Sequence, residues 1–96
     1  RLLDDVSISI NNLQQSLGHR FKPNTVIGIS MHVCFMIERL MTHSEIQESG
    51  EESEFEENEK DFISNVDKSF ERIYSTYNIK IPTSEMIYLF DYIKND

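Results

Sequence analysis

The chain has 96 residues, a single cysteine, no tryptophan and a formal charge of −8. This length suits one domain around one core, and no apolar run nears the ~20 residues that a membrane-spanning helix needs. Nine acidic residues and one basic residue between Glu45 and Asp61 carry all of that charge, and the remaining charges cancel; without a basic face to neutralise phosphates, direct nucleic-acid contact is not expected.

Leu2 or Leu3, Val6, Ile10, Leu13 and Leu17 recur every three or four residues. The spacing predicts an amphipathic helix that ends near Gly18, a residue suited to the left-handed position after a helix. His19 to Asn24 reads as a connector, and Asn24 or Thr25 as the cap of a second helix reaching Met41 or Thr42. That helix is apolar on most faces, through Val26, Ile27, Ile29, Val33, Cys34, Phe35, Ile37, Leu40 and Met41. It is therefore expected at the centre of a bundle. Cys34 reads as a small buried hydrophobe in a reducing compartment, and Met31, Met36 and Met41 as core packing.

From residue 43 to 58 apolar residues nearly vanish, which predicts an exposed, mobile acidic loop. Phe55, Phe62, Ile63, Val66, Phe70, Ile73, Tyr74 and Tyr77 then restore helical spacing. Asn78 and Pro82 bracket a break, and Pro82-Thr-Ser-Glu85 opens a last helix with Met86, Leu89, Phe90 and Ile93 as its apolar stripe. The expected fold class is all-α: one compact domain over residues 1–96, four to five helices, with the acidic loop at 43–58. The chain begins at Arg1 with no signal-peptide pattern and reads as a piece of a longer cytoplasmic protein.

His32 is the residue that asks for an explanation. Nine of the thirteen residues from Gly28 to Leu40 are apolar or glycine, so the imidazole lies in or beside the core. There it either satisfies a buried hydrogen bond or does chemistry. Gly28, four residues earlier, lies under the histidine, because helical side chains lean toward the N-terminus. Glycine inside a helix costs about 1 kcal/mol relative to alanine. Its presence fits either an opening beside the ring or a close helix crossing. Arg39 returns to the same face two turns on, about 10 Å away by helix rise. It suits an ion pair with a neighbouring helix or a hold on a phosphate.

Other chemistries find little support. His32 and Cys34 point about 200° apart on a helix, which excludes a nucleophile–base pair. His32 and His43 are three turns apart, too far for one metal ion. Glycine-rich nucleotide-binding signatures are absent, and no metal or cofactor is expected. The acidic run reads as a solvated link, or else as a docking surface for a basic partner.

Two pieces carry a family resemblance: His32-Val-Cys-Phe-Met-Ile-Glu-Arg39-Leu40, and Ile81-Pro82-Thr83-Ser84-Glu85-Met86-Ile87-Tyr88-Leu89. In this order on an all-α chain they resemble the PRD, the phosphotransferase-system regulation domain of bacterial antiterminators and transcriptional activators of sugar operons. The resemblance covers nearly the whole chain. It implies a compact, homodimeric helical bundle, phosphorylated on histidine by the phosphocarrier protein or an enzyme II component. Position by position, His32 matches the first phosphoacceptor histidine and Arg39 the arginine that follows it. A second family histidine falls at Tyr92, so the resemblance implies a response at one site only. The wording around His32 is most similar to the C-terminal PRD of levanase-regulator-type, sigma-54-dependent activators, where phosphorylation by an enzyme II component is inhibitory.

On that reading neutral His32 attacks the phosphorus of a phosphohistidine or phosphocysteine donor and keeps the group, which makes the domain a switch rather than an enzyme. Two other readings stand beside it. One is a helical interaction module with His32 as a structural core residue. The other is a small enzyme with His32 as general base, which predicts a polar-lined pocket at the imidazole.

Overall fold

A computed structural model describes residues 1–42 and 48–96. Its described residues form six helices and no strand: α1 (Leu2–Leu17), α2 (Pro23–Met41), α3 (Glu52–Asn58), α4 (Lys60–Ser69), α5 (Glu71–Tyr77) and α6 (Thr83–Lys94). The all-α class is as expected, with more helices than the four to five read from spacing.

Helix α1 follows its apolar period. Val6, Ile10 and Leu13 are fully buried, and Gly18 closes the helix in the left-handed conformation at φ 65°. Helix α2 starts earlier than expected, with Pro23 in its first turn and Lys22 as the cap residue. Neither Asn24 nor Thr25 caps it. The side chain that serves this end is Asp96, whose carboxylate accepts the Lys22 amide at 3.0 Å. Ile29, Val33, Met36 and Ile37 of α2 are buried. Ile27, Met31 and Phe35 stand on the opposite face, each more than half exposed. Of the three methionines read as core, only Met36 is buried, and Cys34 is half-buried.

The acidic segment differs most from its reading as a loop. Glu52–Asn58 is helical; the residues from 43 to 47 lie outside the described part. Three causes act on α3. Glu52 and Glu54 place negative charge in its first turn, against the positive end of the helix dipole. The Glu52 carboxylate accepts the amides of Ser49 and Gly50, both at 2.9 Å, and the Ser49 hydroxyl at 3.1 Å. Those bonds, the Ser49 amide foremost, hold its pKa below the ordinary value. Finally, Phe55 packs edge-on against Phe90 and Phe62, with ring centroids 5.4 and 6.3 Å apart. One half-buried aromatic thus helps to anchor a helix that is otherwise acidic.

The apolar run that continues to Tyr77 is not one helix. It breaks at Glu59 and again at Phe70, whose backbones leave the helical region at φ −122°, ψ 43° and φ −104°, ψ 11°. Each break turns the next segment so that its buried residues face one core. Phe62 and Val66 of α4, Phe70, and Ile73 of α5 join Ile81, Met86 and Leu89 there. Helix α1 packs against α2, α4 and α5, while α6 packs against α2, α3 and α4. The Cα radius of gyration, 12.6 Å, matches a fully compacted chain of this length.

A second polar cluster fastens α1 to α5. Asp5, buried in α1, accepts Tyr77 Oη at 2.9 Å and Arg72 Nε at 3.2 Å. Donating that bond to the Asp5 carboxylate raises the Tyr77 pKa above its ordinary value, so the phenol stays protonated. Near the α4–α5 break, Tyr74 donates to Asp67 at 2.7 Å, and burial, followed by that carboxylate, pushes its pKa far up.

Candidate functional site

Helices α2 and α6 run antiparallel, and their facing residues can be read off in register. Asp96 meets the start of α2 at Lys22. One turn on, Tyr92 lies over Gly28; then Tyr88 and Glu85 meet His32, and Glu85 also reaches Arg39. On α6 the spacings of three and four residues put Glu85, Tyr88 and Tyr92 on one stripe. On α2 Gly28, His32 and Arg39 form the matching stripe, at intervals of four and seven.

The imidazole is held on two sides. Its Nε2 lies 2.9 Å from Oε1 of Glu85. Its face stacks on Tyr88, centroids 3.9 Å apart and planes 17° from parallel. The His32 side chain keeps 21% of its exposure, against 10% for Glu85. His32 is therefore neither sealed in the core nor free on the surface.

The other oxygen of Glu85, Oε2, accepts Arg39 at 3.3 Å. One carboxylate thus bridges the two α2 residues, which are too far apart along the helix to touch. The site needs the interval of seven because two turns return the guanidinium to the face Glu85 occupies. A largely buried carboxylate with two cationic or hydrogen-bonding partners has its acceptor sites used rather than stranded.

Gly28 has a direct steric reason. A Cβ built there would overlap the hydroxyl and the adjoining ring carbon of Tyr92. The glycine admits the tyrosine ring, so Tyr92 fills the space beside the imidazole's own turn. Sequence reasoning placed Gly28, His32 and Arg39 on one face, and the structure brings all three against α6. It did not single out Glu85 or Tyr88 as site residues. Both lie in the Ile-Pro-x-x-Glu-x-x-Tyr-Leu segment, and a buried position for Glu85 was the missing signal.

A hollow of about 720 Å³ bordered by Lys60, Asp67, Lys68, Tyr74, Lys80 and Met86 lies away from His32. Another, of about 570 Å³, is bordered by Thr25, Tyr88, Asp91, Tyr92 and Asn95 and also leaves His32 out. The polar-lined pocket at the imidazole that a general-base enzyme requires is not provided by either. Burial, with Glu38 adding to it, pushes the Cys34 thiol above its ordinary pKa, which keeps it the unreactive thiol. Among the described residues no cluster of His, Cys, Asp or Glu is arranged to hold a metal ion, and no helix is long and apolar enough to cross a membrane.

The site is thus a partly exposed histidine oriented between α2 and α6 in an all-helical domain. The PRD domain family model matches residues 8–96, and the chain belongs to that family. PRDs are regulatory domains, not a catalytic family, and they are phosphorylated by phosphotransferase-system components. No curated protein and no solved structure matches the chain.

Proposed function

We propose that this domain regulates a transcriptional regulator of sugar utilisation through phosphorylation of His32 by a phosphocarrier or enzyme II component. The observation that carries the proposal is the state of the imidazole: oriented by Glu85, stacked on Tyr88, and 21% exposed beside the apolar residues Met31 and Phe35. A core histidine serving only packing has no need of an outlet to solvent. Arg39 and Gly28 act as supporting residues, one steadying Glu85 and the other admitting Tyr92.

A phosphoryl group carries roughly −1.5 to −2 charges at neutral pH. Placed on His32 it lies against an apolar helix face, and the proposed response is a change in helix packing or in homodimer formation. The exposed stripe Ile27, Met31 and Phe35 is the face on which such a charge acts. Tyr92 stands where a second phosphoacceptor histidine falls in the family, so the domain answers to one site. The wider setting we propose is cytoplasmic, as the C-terminal PRD of a levanase-regulator-type, sigma-54-dependent activator.

The test is transfer from phosphotransferase proteins energised with labelled phosphoenolpyruvate. The expected result is an acid-labile, base-stable label on the wild-type chain that is lost in His32→Ala. The Glu85 hydrogen bond and the Tyr88 stack are also what a purely structural histidine acquires, so a helical interaction module is the second reading. Absence of label with both partners folded would select it.

A further inference from the structure

Resting on the reading of His32 as phosphoacceptor, we infer that Nδ1 is the nitrogen that takes the phosphoryl group, and that Glu85 is the positioning residue that makes it so. An ionised carboxylate only accepts hydrogen bonds. With Nε2 2.9 Å from Glu85 Oε1, the neutral ring that a nucleophile must be keeps its proton on Nε2. The lone pair is then on Nδ1. Among the described residues no hydrogen bond reaches Nδ1. The buried side-chain polar atoms that lack a partner there are the hydroxyl oxygens of Ser9 and Ser69, so Nδ1 keeps contact with solvent. The nitrogen with the lone pair is thus the one a donor can reach.

The transfer balances without any other reactant. The Nδ1 lone pair forms the new P–N bond as the donor's P–N or P–S bond breaks, its electron pair leaving with the donor's nitrogen or sulfur. The ring gains positive charge as it becomes bonded at both nitrogens, and the Glu85 carboxylate on Nε2–H offsets that charge where it develops. Arg39 on Oε2 at 3.3 Å holds the carboxylate in place from the other side. Nδ1 is also the ring nitrogen nearer the backbone. A phosphoryl group there lies close to α2 and leaves the Glu85 bond intact, so its charge acts on the outer face of α2 rather than by breaking α2 from α6.

The experiment is phosphorus–nitrogen correlation NMR on chain carrying ¹⁵N-histidine, phosphorylated by two donors: energised phosphocarrier protein, and phosphoramidate as a small P–N donor. The expected product is Nδ1-phosphohistidine at His32. Glu85→Ala frees Nε2, and is expected to give both isomers and to slow transfer by roughly tenfold or more. Glu85→Gln can still accept from Nε2–H through its amide oxygen. It is expected to keep the Nδ1 isomer while transferring slowly, because a neutral amide does not offset the ring charge. A merely structural Glu85 would not move the isomer ratio. An Nε2 product in the wild type, or a Glu85→Ala chain that stays folded and yields Nδ1 alone at the wild-type rate, overturns the inference and leaves the phosphoacceptor reading standing. No phosphohistidine from either donor overturns that reading itself.

Discussion

Glycine 28 shows how much of the site depends on one missing atom group. Its hydrogen faces the Tyr92 hydroxyl, and alanine would collide with it. Two effects compete in Gly28→Ala. Helix propensity favours alanine by about 1 kcal/mol, while overpacking a fitted contact costs about 1–3 kcal/mol. The overlap reaches the ring carbon as well as the hydroxyl, so alanine displaces the half-buried ring from its place, and Gly28→Ala is expected to destabilise the wild type. In a Tyr92→Ala background the collision is gone and the same change is expected to stabilise by about 1 kcal/mol. Urea unfolding of the four chains checks this; equal effects in both backgrounds would mean that Tyr92 is not what the glycine admits. At this scale the sequence was legible in part. The shared face of Gly28, His32 and Arg39 follows from helix geometry alone. Their common partner Glu85 is 53 residues from His32, and no local spacing points across such a gap.

Among the elements, the antiparallel pair α2 and α6 positions everything on the site, and its far end is held by Asp96. The carboxylate, 4% exposed, accepts the Lys22 amide and His19 Nε2, each at 3.0 Å. The Thr25 hydroxyl, with the Lys22 amide next, holds its pKa below the ordinary 3.8. A carboxyl whose folded pKa is depressed adds stability above its unfolded value and loses it as pH falls through the folded value. The stability gap between wild type and Asp96→Asn is therefore expected to be full near neutrality and to shrink below pH 3.8. Denaturation midpoints across that range check it, and a constant gap would count against the contact. Element boundaries were legible where backbone chemistry marks them, as with Gly18 after α1 and Pro82 before α6. The breaks at Glu59 and Phe70 carry neither glycine nor proline. They arise because three short helices cover the core better than one straight rod, which is a tertiary cause. Helix α3 escaped notice because its composition is that of a solvated segment, and the residues that anchor it, Phe55 against Phe62 and Phe90 and Glu56 accepting the Thr83 hydroxyl, find their partners only in the folded chain.

Along the chain, the acidic run and the exposed apolar stripe of α2 fall in different segments. The excess of negative charge lies between Glu45 and Asp61, and the exposed apolar stripe of α2 runs through Ile27, Met31 and Phe35. If the proposed homodimer uses that stripe, Phe35→Glu buries a charge at the interface and sedimentation velocity is expected to show monomer where the wild type shows dimer. A dimer unchanged by Phe35→Glu would move the interface elsewhere. The fold class was visible in the apolar pattern, but the central place expected for α2 is corrected by the structure: α2 packs on α1 and α6 and leaves one apolar face exposed. Which face of α2 stays bare was not visible, because nearly every face of that helix carries apolar residues and only packing decides between them. The account as a whole turns on the capacity of one partly exposed imidazole to accept a phosphoryl group. Intact mass in neutral solution after exposure to energised phosphotransferase proteins tests this most directly. One phosphoryl group per wild-type chain and none on a folded His32→Ala chain is the predicted result. An unmodified wild type, or an adduct that survives in His32→Ala, would contradict it.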